Sequence, residues 1–371
     1  MSKKLKKVLL KGNEIMAEAA IQAGCRFFAG YPITPQNEVP EYMSARMPEV
    51  GGTFIQAESE LAAINMLFGA SAAGARCMTS SSSPGISLKQ EGISYIVAGE
   101  LGCVIANVQR GGPGLGNIRA SQADYFQAVK GGGHGDYRLI VLAPATLPEL
   151  YELTMNAFDY ADYYRNPVMI LSDGILGQMA EPVELKPYAP ILELPEKDYV
   201  LDGCAGREPR VLKTLHLFPV MDLMEHNIHL RAKYARISSE LKLVEQIRTD
   251  DAELVIAAYG ITARVAKGSV SLARAKGMKV GLIRPITLWP FPDGAFCELA
   301  SSAEKFLVVE MSNGQFIEDV KLATECKKPV EFLGTGGGWY PTAENIFEKI
   351  QAVYGEKPSP SFARVQARGR L

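Results

Sequence analysis

The chain has 371 residues, 47% hydrophobic and 22% charged, a globular balance that excludes a disordered polypeptide and suits two or three domains. Lys plus Arg number 39 against 41 Asp plus Glu, a formal charge of −2, so the overall charge draws the protein neither to nucleic acid nor to an anionic membrane. No apolar run approaches the ~20 residues of a membrane span, and the basic start, Met1 to Lys7, is followed only by Val8-Leu9-Leu10 before Lys11, which does not make a signal peptide.

Along the first half, short apolar runs alternate with helical patterns. Phe27-Phe28-Ala29 and Thr53-Phe54-Ile55 read as strands, and Glu60 to Ala73 as a small-residue helix. A polar loop, Thr79-Ser80-Ser81-Ser82-Ser83-Pro84-Gly85, precedes a helix predicted from Ile86 to Gly99. The strand Cys103 to Val108 ends at Gln109-Arg110 and a glycine-rich loop, Leu139 to Leu142 follows, then a helix from Leu147 to Tyr160 and the strand Val168 to Leu171. Such alternation predicts a mostly parallel sheet with helices on both faces, whose ligand lies beyond the carboxyl ends of the strands. From Glu181 to Arg231 six prolines interrupt any continuous helix, and the stretch reads as a connector. Alternation resumes with strands at Leu254 to Tyr259, Lys279 to Ile283, Phe306 to Val309 and Val330 to Leu333, and helices at Thr262 to Lys276 and Ala343 to Tyr354. The expected organisation is an α/β domain over 1–185, an irregular connector over 186–245, a smaller α/β domain over 246–355 and a polar tail over 356–371.

Several loops carry residues suited to chemistry. Gly30-Tyr31-Pro32-Ile33-Thr34-Pro35-Gln36-Asn37-Glu38 holds Thr34 at a strand end before a helix start, where its hydroxyl can help bind a carboxylate or simply cap the helix. Gln56-Ala57-Glu58-Ser59-Glu60 brings two carboxylates to a strand–helix junction. At i, i+2 spacing they point in different directions, so one of them enters a pocket, unless both merely favour a helix N-terminus. The serine loop suits a phosphate or a polar ring, or ordinary turn chemistry, but it is not a Walker loop. Arg110, before Gly111-Gly112-Pro113-Gly114-Leu115-Gly116-Asn117, is a guanidinium at a strand end and a credible carboxylate site. His134, in Gly131-Gly132-Gly133-His134-Gly135-Asp136, is the first domain's only histidine and reads as a packing or hydrogen-bonding residue; the other three histidines fall in the connector and receive no role.

Three signals are missing from the sequence. No Gly-x-Gly-x-x-Gly with a downstream acid supports a dinucleotide site, and no nucleophile elbow supports Ser/His/Asp catalysis. The six cysteines (Cys25, Cys77, Cys103, Cys204, Cys297, Cys326) contain no Cys-x-x-Cys and no zinc or iron–sulfur spacing, and read as reduced, mostly buried thiols of a cytoplasmic protein.

Taken together, Gly30-Tyr31-Pro32-Ile33-Thr34-Pro35, Gln56-x-Glu58-x-Glu60-x-Ala62-Ala63, Ser82-Ser83-Pro84-Gly85 and Arg110-Gly111-Gly112-Pro113 resemble the alpha subunit of thiamine-diphosphate-dependent 2-oxoacid:ferredoxin oxidoreductases, in the short form without a fused gamma domain. Arg284-Pro285-Ile286-Thr287-Leu288-Trp289-Pro290-Phe291-Pro292 and Glu310-x-x-Asn313-Gly314-Gln315 are similar to segments of that family's transketolase-C-like second domain. The resemblance implies a pyrimidine-binding parallel-sheet domain followed by a transketolase-C-like α/β domain. It places at Glu60 the carboxylic acid that meets N1′ of the cofactor's aminopyrimidine, and gives Thr34 and Arg110 the substrate carboxylate. Tyr31, Pro32, Ile33, Ser83 and Pro84 are then expected beside the cofactor.

The same resemblance assigns no metal ligand to this chain. Ser172-Asp173-Gly174 lacks the leading glycine of the family's Gly-Asp-Gly motif, and no matching Asn follows, so the diphosphate and Mg²⁺ are expected in a beta subunit. The 4Fe–4S clusters are likewise expected only in partners: the companions this resemblance implies are beta, gamma and ferredoxin-like delta subunits, with ferredoxin as acceptor and coenzyme A as co-substrate. Gly114-Leu115 stands where the 2-oxoglutarate type has Ser-Thr, a less polar edge that favours a 2-oxoisovalerate-like substrate. A 2-oxoglutarate enzyme, a non-oxidative thiamine-enzyme half and a scaffold that has lost the chemistry are the alternatives.

Overall fold

A computed structural model describes residues 6–354; the 356–371 tail expected from the sequence lies outside the described residues. The chain contributes β1 (Lys6–Lys11), β2 (Phe27–Gly30), β3 (Thr53–Gln56), β4 (Cys77–Ser81), β5 (Val104–Gln109), β6 (Ile140–Leu142), β7 (Val168–Asp173) and β8 (Ala180–Leu185). The second half adds β9 (Val244–Ile247), β10 (Leu254–Ala257), β11 (Val280–Pro285), β12 (Thr287–Trp289), β13 (Lys305–Glu310) and β14 (Val330–Gly334).

The first sheet has the order β12-β6-β7-β5-β4-β2-β3, parallel except for β12 at its edge. Its central strands are buried on both faces, as parallel strands require. Along β5, Val104, Ala106 and Val108 join the core built on helices Gly12–Gln22 and Leu147–Tyr164. Ile105 joins the opposite core, with Ile64 of helix Glu60–Ala72 and Ile93 of helix Ser83–Ala98. The second sheet, β14-β13-β10-β11-β9, is parallel apart from its edge strand β9. A separate antiparallel ribbon pairs β1 with β8.

Four features differ from the sequence reading. The serine loop is shorter than expected: Thr79, Ser80 and Ser81 belong to β4, and the next helix starts at Ser83 rather than Ile86. The reason is pairing, since Thr79–Ser81 register against Ile105–Asn107 of β5 and satisfy their backbone there. The connector is not irregular throughout. Its last proline, Pro219, sits just before a 21-residue helix, Val220–Glu240, so the prolines break the chain only up to that point. Segment 284–292, similar to a second-domain motif, sends β12 across to the first sheet, where it pairs with β6. Finally, only Cys25, Cys77 and Cys103 are buried, while Cys204 and Cys326 are exposed.

Side chains bind the two halves together. Arg284 lies buried between Glu149 (2.9 and 2.8 Å) and Glu245 (2.8 Å). Although burial opposes its charge, these two carboxylates hold the guanidinium pKa above its ordinary value. Gln122, also buried, donates to the Tyr259 carbonyl (2.9 Å) and accepts from the Met311 N–H (3.0 Å).

Candidate functional site

Parallel pairing brings the ends of β2, β3, β4, β5 and β7 to one edge of the first sheet, so Thr34, Glu60, Ser83, Arg110 and Asp173 collect there from distant positions. Ser59 caps the helix after β3 by accepting from Ala62 N–H (3.1 Å), which fixes Glu60 as the first helical residue. The two carboxylates of the junction separate: Glu58 is exposed, whereas Glu60 is only 6% exposed. Among the described residues, the Glu60 carboxylate accepts no hydrogen bond.

Gly85, in the first turn of helix Ser83–Ala98, is what lets Glu60 lie there. A Cβ at this position would stand 2.1 Å from Ser81 Oγ and 2.5 Å from Glu60 Oε1. Around this close approach, several buried polar atoms lack partners among the described residues. Ser81 Oγ and Ser82 Oγ have none, nor has Gln36 Nε2, although Gln36 Oε1 accepts from Ser80 Oγ at 2.6 Å. Natural proteins pair nearly all such groups, so a cluster of orphans beside an unpaired carboxylate marks a place that receives a polar ligand. The donors and acceptors present fit an aminopyrimidine ring, which carries both.

Thr34 is not a helix cap. Asn37 precedes the helix Glu38–Arg46, and Thr34 is exposed, its hydroxyl without a hydrogen bond among the described residues. Arg110 reaches it through the backbone: Nη1 donates to the Thr34 carbonyl (2.9 Å) and Nη2 to the Leu115 carbonyl (3.1 Å), leaving Nε buried and unpartnered. The expected pair is thus brought together, with two of the arginine's donors holding the loops. Ser83 Oγ accepts from Arg110 N–H (3.0 Å) and donates to Asp124 (2.5 Å), which also accepts from Asn107 (2.9 Å). Burial raises the Asp124 pKa, opposed by these two hydrogen bonds. Tyr31 and Pro32 are exposed and Ile33 partly so on the same loop as Thr34, while Pro84 is half-buried beside Gly85.

The remaining candidates are engaged differently. Asp173 caps the short helix Gly174–Gln178, accepting from Ile175 N–H (2.8 Å) and Leu176 N–H (3.1 Å), and burial pushes its pKa up to about 6. His134 lies in an exposed loop. The sequence reading missed Gln36, Asn107, Asp124 and Lys89 as members of this edge. Lys89 had a legible signal, lying three residues after Ile86 and four before Ile93, on the helix face that is otherwise apolar.

A carboxylate held beside orphaned polar atoms at the carboxyl edge of a parallel sheet, with a smaller α/β domain clamped behind, suits a thiamine-diphosphate-type fold. The family description "pyruvate flavodoxin/ferredoxin oxidoreductase, thiamine diP-bdg" matches residues 18–246, and "pyruvate:ferredoxin oxidoreductase core domain II" matches 252–346. The chain belongs to this family and is a subunit of a 2-oxoacid oxidoreductase. It is 49% identical to the ketoisovalerate oxidoreductase subunit VorB of Methanothermobacter thermautotrophicus, over 94% of this chain and 98% of that one. It is 40% identical to the 2-oxoglutarate synthase subunit KorA of Archaeoglobus fulgidus, over 88% of this chain and 94% of that one. Among solved structures, the 2-oxoglutarate:ferredoxin oxidoreductase of Magnetococcus marinus, with 2-oxoglutarate, coenzyme A and succinyl-CoA bound, superposes with a TM-score of 0.82 at 26% identity, covering 93% of this chain and 65% of that one. Among the described residues no helix is long and apolar enough to cross a membrane.

Proposed function

We propose that this chain is the alpha subunit of a cytoplasmic complex that oxidatively decarboxylates 2-oxoisovalerate to its acyl-CoA and CO₂, passing the electrons to ferredoxin. The observation that carries the reading is Glu60, buried against Gly85 among orphaned polar atoms, its carboxylate accepting no hydrogen bond among the described residues. Bound thiamine diphosphate supplies the carbanion centre and electron sink that decarboxylation needs. Glu60 faces N1′ of the aminopyrimidine and exchanges a proton there, while Gln36 Nε2 and the hydroxyls of Ser81 and Ser82 hold the ring's polar edge. Tyr31, Pro32, Ile33, Ser83 and Pro84 shape the walls.

Thr34 Oγ1 and Arg110 take the substrate's carboxylate, the arginine through the Nε–H that no protein group uses. Similarity to a ketoisovalerate subunit, together with the apolar Leu115 beside Arg110, supports an aliphatic side chain over a second carboxylate. The diphosphate and Mg²⁺ belong to a beta subunit, since the Asp173 carboxylate is occupied in capping a helix. The 4Fe–4S clusters belong to partners as well, with gamma and ferredoxin-like delta subunits completing the assembly.

Purification of the complex through a tagged chain, followed by viologen reduction with 2-oxoisovalerate, 2-oxoglutarate or pyruvate, tests this reading. Coenzyme-A-dependent reduction fastest with 2-oxoisovalerate is expected. Preference for 2-oxoglutarate would reassign the substrate, and loss of the oxoacid with release of CO₂ but no viologen reduction would point to a non-oxidative thiamine enzyme.

A further inference from the structure

Behind Glu60 lies a group that the cleft reading does not use. Helix Ser83–Ala98 turns one face toward helix Glu60–Ala72, and that face carries Gly85, Lys89 and Gly92. The two glycines allow the approach: a Cβ on Gly85 would meet Glu60, and one on Gly92 would stand 2.5 Å from Ile64 Cγ2. Between them Lys89 is 0% exposed, and its ammonium donates to the Glu60 carbonyl (3.3 Å) and to Thr79 Oγ1 on β4 (3.2 Å). Among the described residues it forms no ion pair.

This is an expensive arrangement. A buried ammonium lacking a paired carboxylate loses much of its hydration, and the start of a helix is the end that repels a cation. Burial pulls the Lys89 pKa down to about 8, against the nearby Glu60, the one charged group whose field counters it. A methionine of similar length would fill the same space without that cost. Such a violation of packing rules at one contact, on the residue that enters the cleft, points to a role in function.

We propose that Lys89 is a positioning residue for Glu60: its ammonium pins the backbone from which the Glu60 side chain enters the cleft, so that the cleft binds thiamine diphosphate tightly only while Lys89 is charged. The inference rests on the proposed placement of the aminopyrimidine against Glu60. Neutral Lys89 retains weaker hydrogen bonds to the same oxygens, because charge-assisted bonds are roughly twice as strong as neutral ones.

The test is calorimetric titration of the assembled, cofactor-depleted complex with thiamine diphosphate and Mg²⁺ across about pH 7 to 9.5, alongside thermal unfolding. Wild-type affinity is expected to fall about tenfold as pH rises through the Lys89 titration. Lys89→Met is expected to bind about tenfold more weakly at neutral pH, to lose that pH dependence, and to melt no lower than wild type. Thr79→Val, which keeps the cation but removes one acceptor, is expected to shift the midpoint of the affinity loss to lower pH; this second variant decides the matter should Lys89→Met not assemble. Wild-type affinity and pH dependence in Lys89→Met, or an unmoved midpoint in Thr79→Val, overturns the inference while leaving the cleft reading intact. A wild-type complex that does not bind thiamine diphosphate at all overturns both.

Discussion

The two mostly parallel sheets handle the polar groups at their carboxyl edges in opposite ways. At the end of β13, Glu310 is fully buried and accepts from Ser312 Oγ (2.6 Å) and from the N–H groups of Phe316 and Ile317 (both 3.1 Å), capping the helix Phe316–Ala323. Gln315 crosses to the first half, accepting from Phe126 N–H (2.8 Å) and donating to the Ala123 carbonyl (2.7 Å). At the ends of β2, β3 and β4, by contrast, the Glu60 carboxylate, the hydroxyls of Ser81 and Ser82 and Gln36 Nε2 have no hydrogen-bond partner among the described residues. Polar satisfaction makes one edge a clamp, and on the proposed reading its absence suits the other to a ligand. Arg284 and Gln315, in the motifs similar to the family's second domain, hold the halves in place, whereas on the proposed reading the first-half motifs keep groups for a ligand.

Substitutions on the two edges should separate accordingly. Gly85→Ala places a methyl group where Ser81 Oγ and Glu60 Oε1 now stand, and both are ends of side chains that can swing away. Since alanine favours a helix by about 1 kcal/mol over glycine, the melting temperature should barely change. Displacing Glu60 by about an ångström, however, should cost about a hundredfold in turnover. A kinetic and thermal comparison of this variant with wild type checks both halves of the expectation.

Gln122→Ala should show the reverse. It strands the buried Met311 N–H, a loss of about 1–3 kcal/mol, while the Tyr259 carbonyl keeps its bond from Thr262 Oγ1 (2.7 Å) and Glu60 and its surroundings are untouched. Denaturant unfolding should reveal the loss, with the rate of the remaining folded complex unchanged. Equal damage to turnover in this variant would erase the distinction between the two edges.

Asp173→Asn sharpens the contrast within the first sheet. Burial raises the Asp173 pKa to about 6, above the unfolded carboxylate value, so the native state prefers the protonated form. Its contribution to stability is thus present below the unfolded pKa and is lost as pH rises through about 6. The neutral asparagine keeps a capping oxygen without the buried charge, and should gain about 1–2 kcal/mol on wild type at neutral pH but little near pH 4. Chemical denaturation at both pH values measures this.

Much of the first edge was legible in the sequence because its signals are local. The strand runs, the break at each loop and the separation of Glu58 from Glu60 follow from periodicity and spacing. The particular choice of Glu60, and the pairing of Thr34 with Arg110, came from the family resemblance rather than from spacing. Long-range pairing left no such trace. Nothing in Thr287–Trp289 announces that β12 will join β6 rather than its sequence neighbours, and Lys6–Lys11 finds its partner in Ala180–Leu185 only after folding. Lys89 is marked in the sequence by its place between Ile86 and Ile93 on one helix face, but that this face is buried against helix Glu60–Ala72 is a tertiary fact.

The most direct test of the account is Glu60→Gln in the assembled complex, assayed by coenzyme-A-dependent viologen reduction at saturating thiamine diphosphate. Glutamine keeps the shape and burial of the side chain but cannot exchange the proton. An intact complex with turnover reduced about a hundredfold or more is the predicted result. Near-wild-type turnover would contradict it and remove Glu60, and with it this edge of the sheet, from the chemistry.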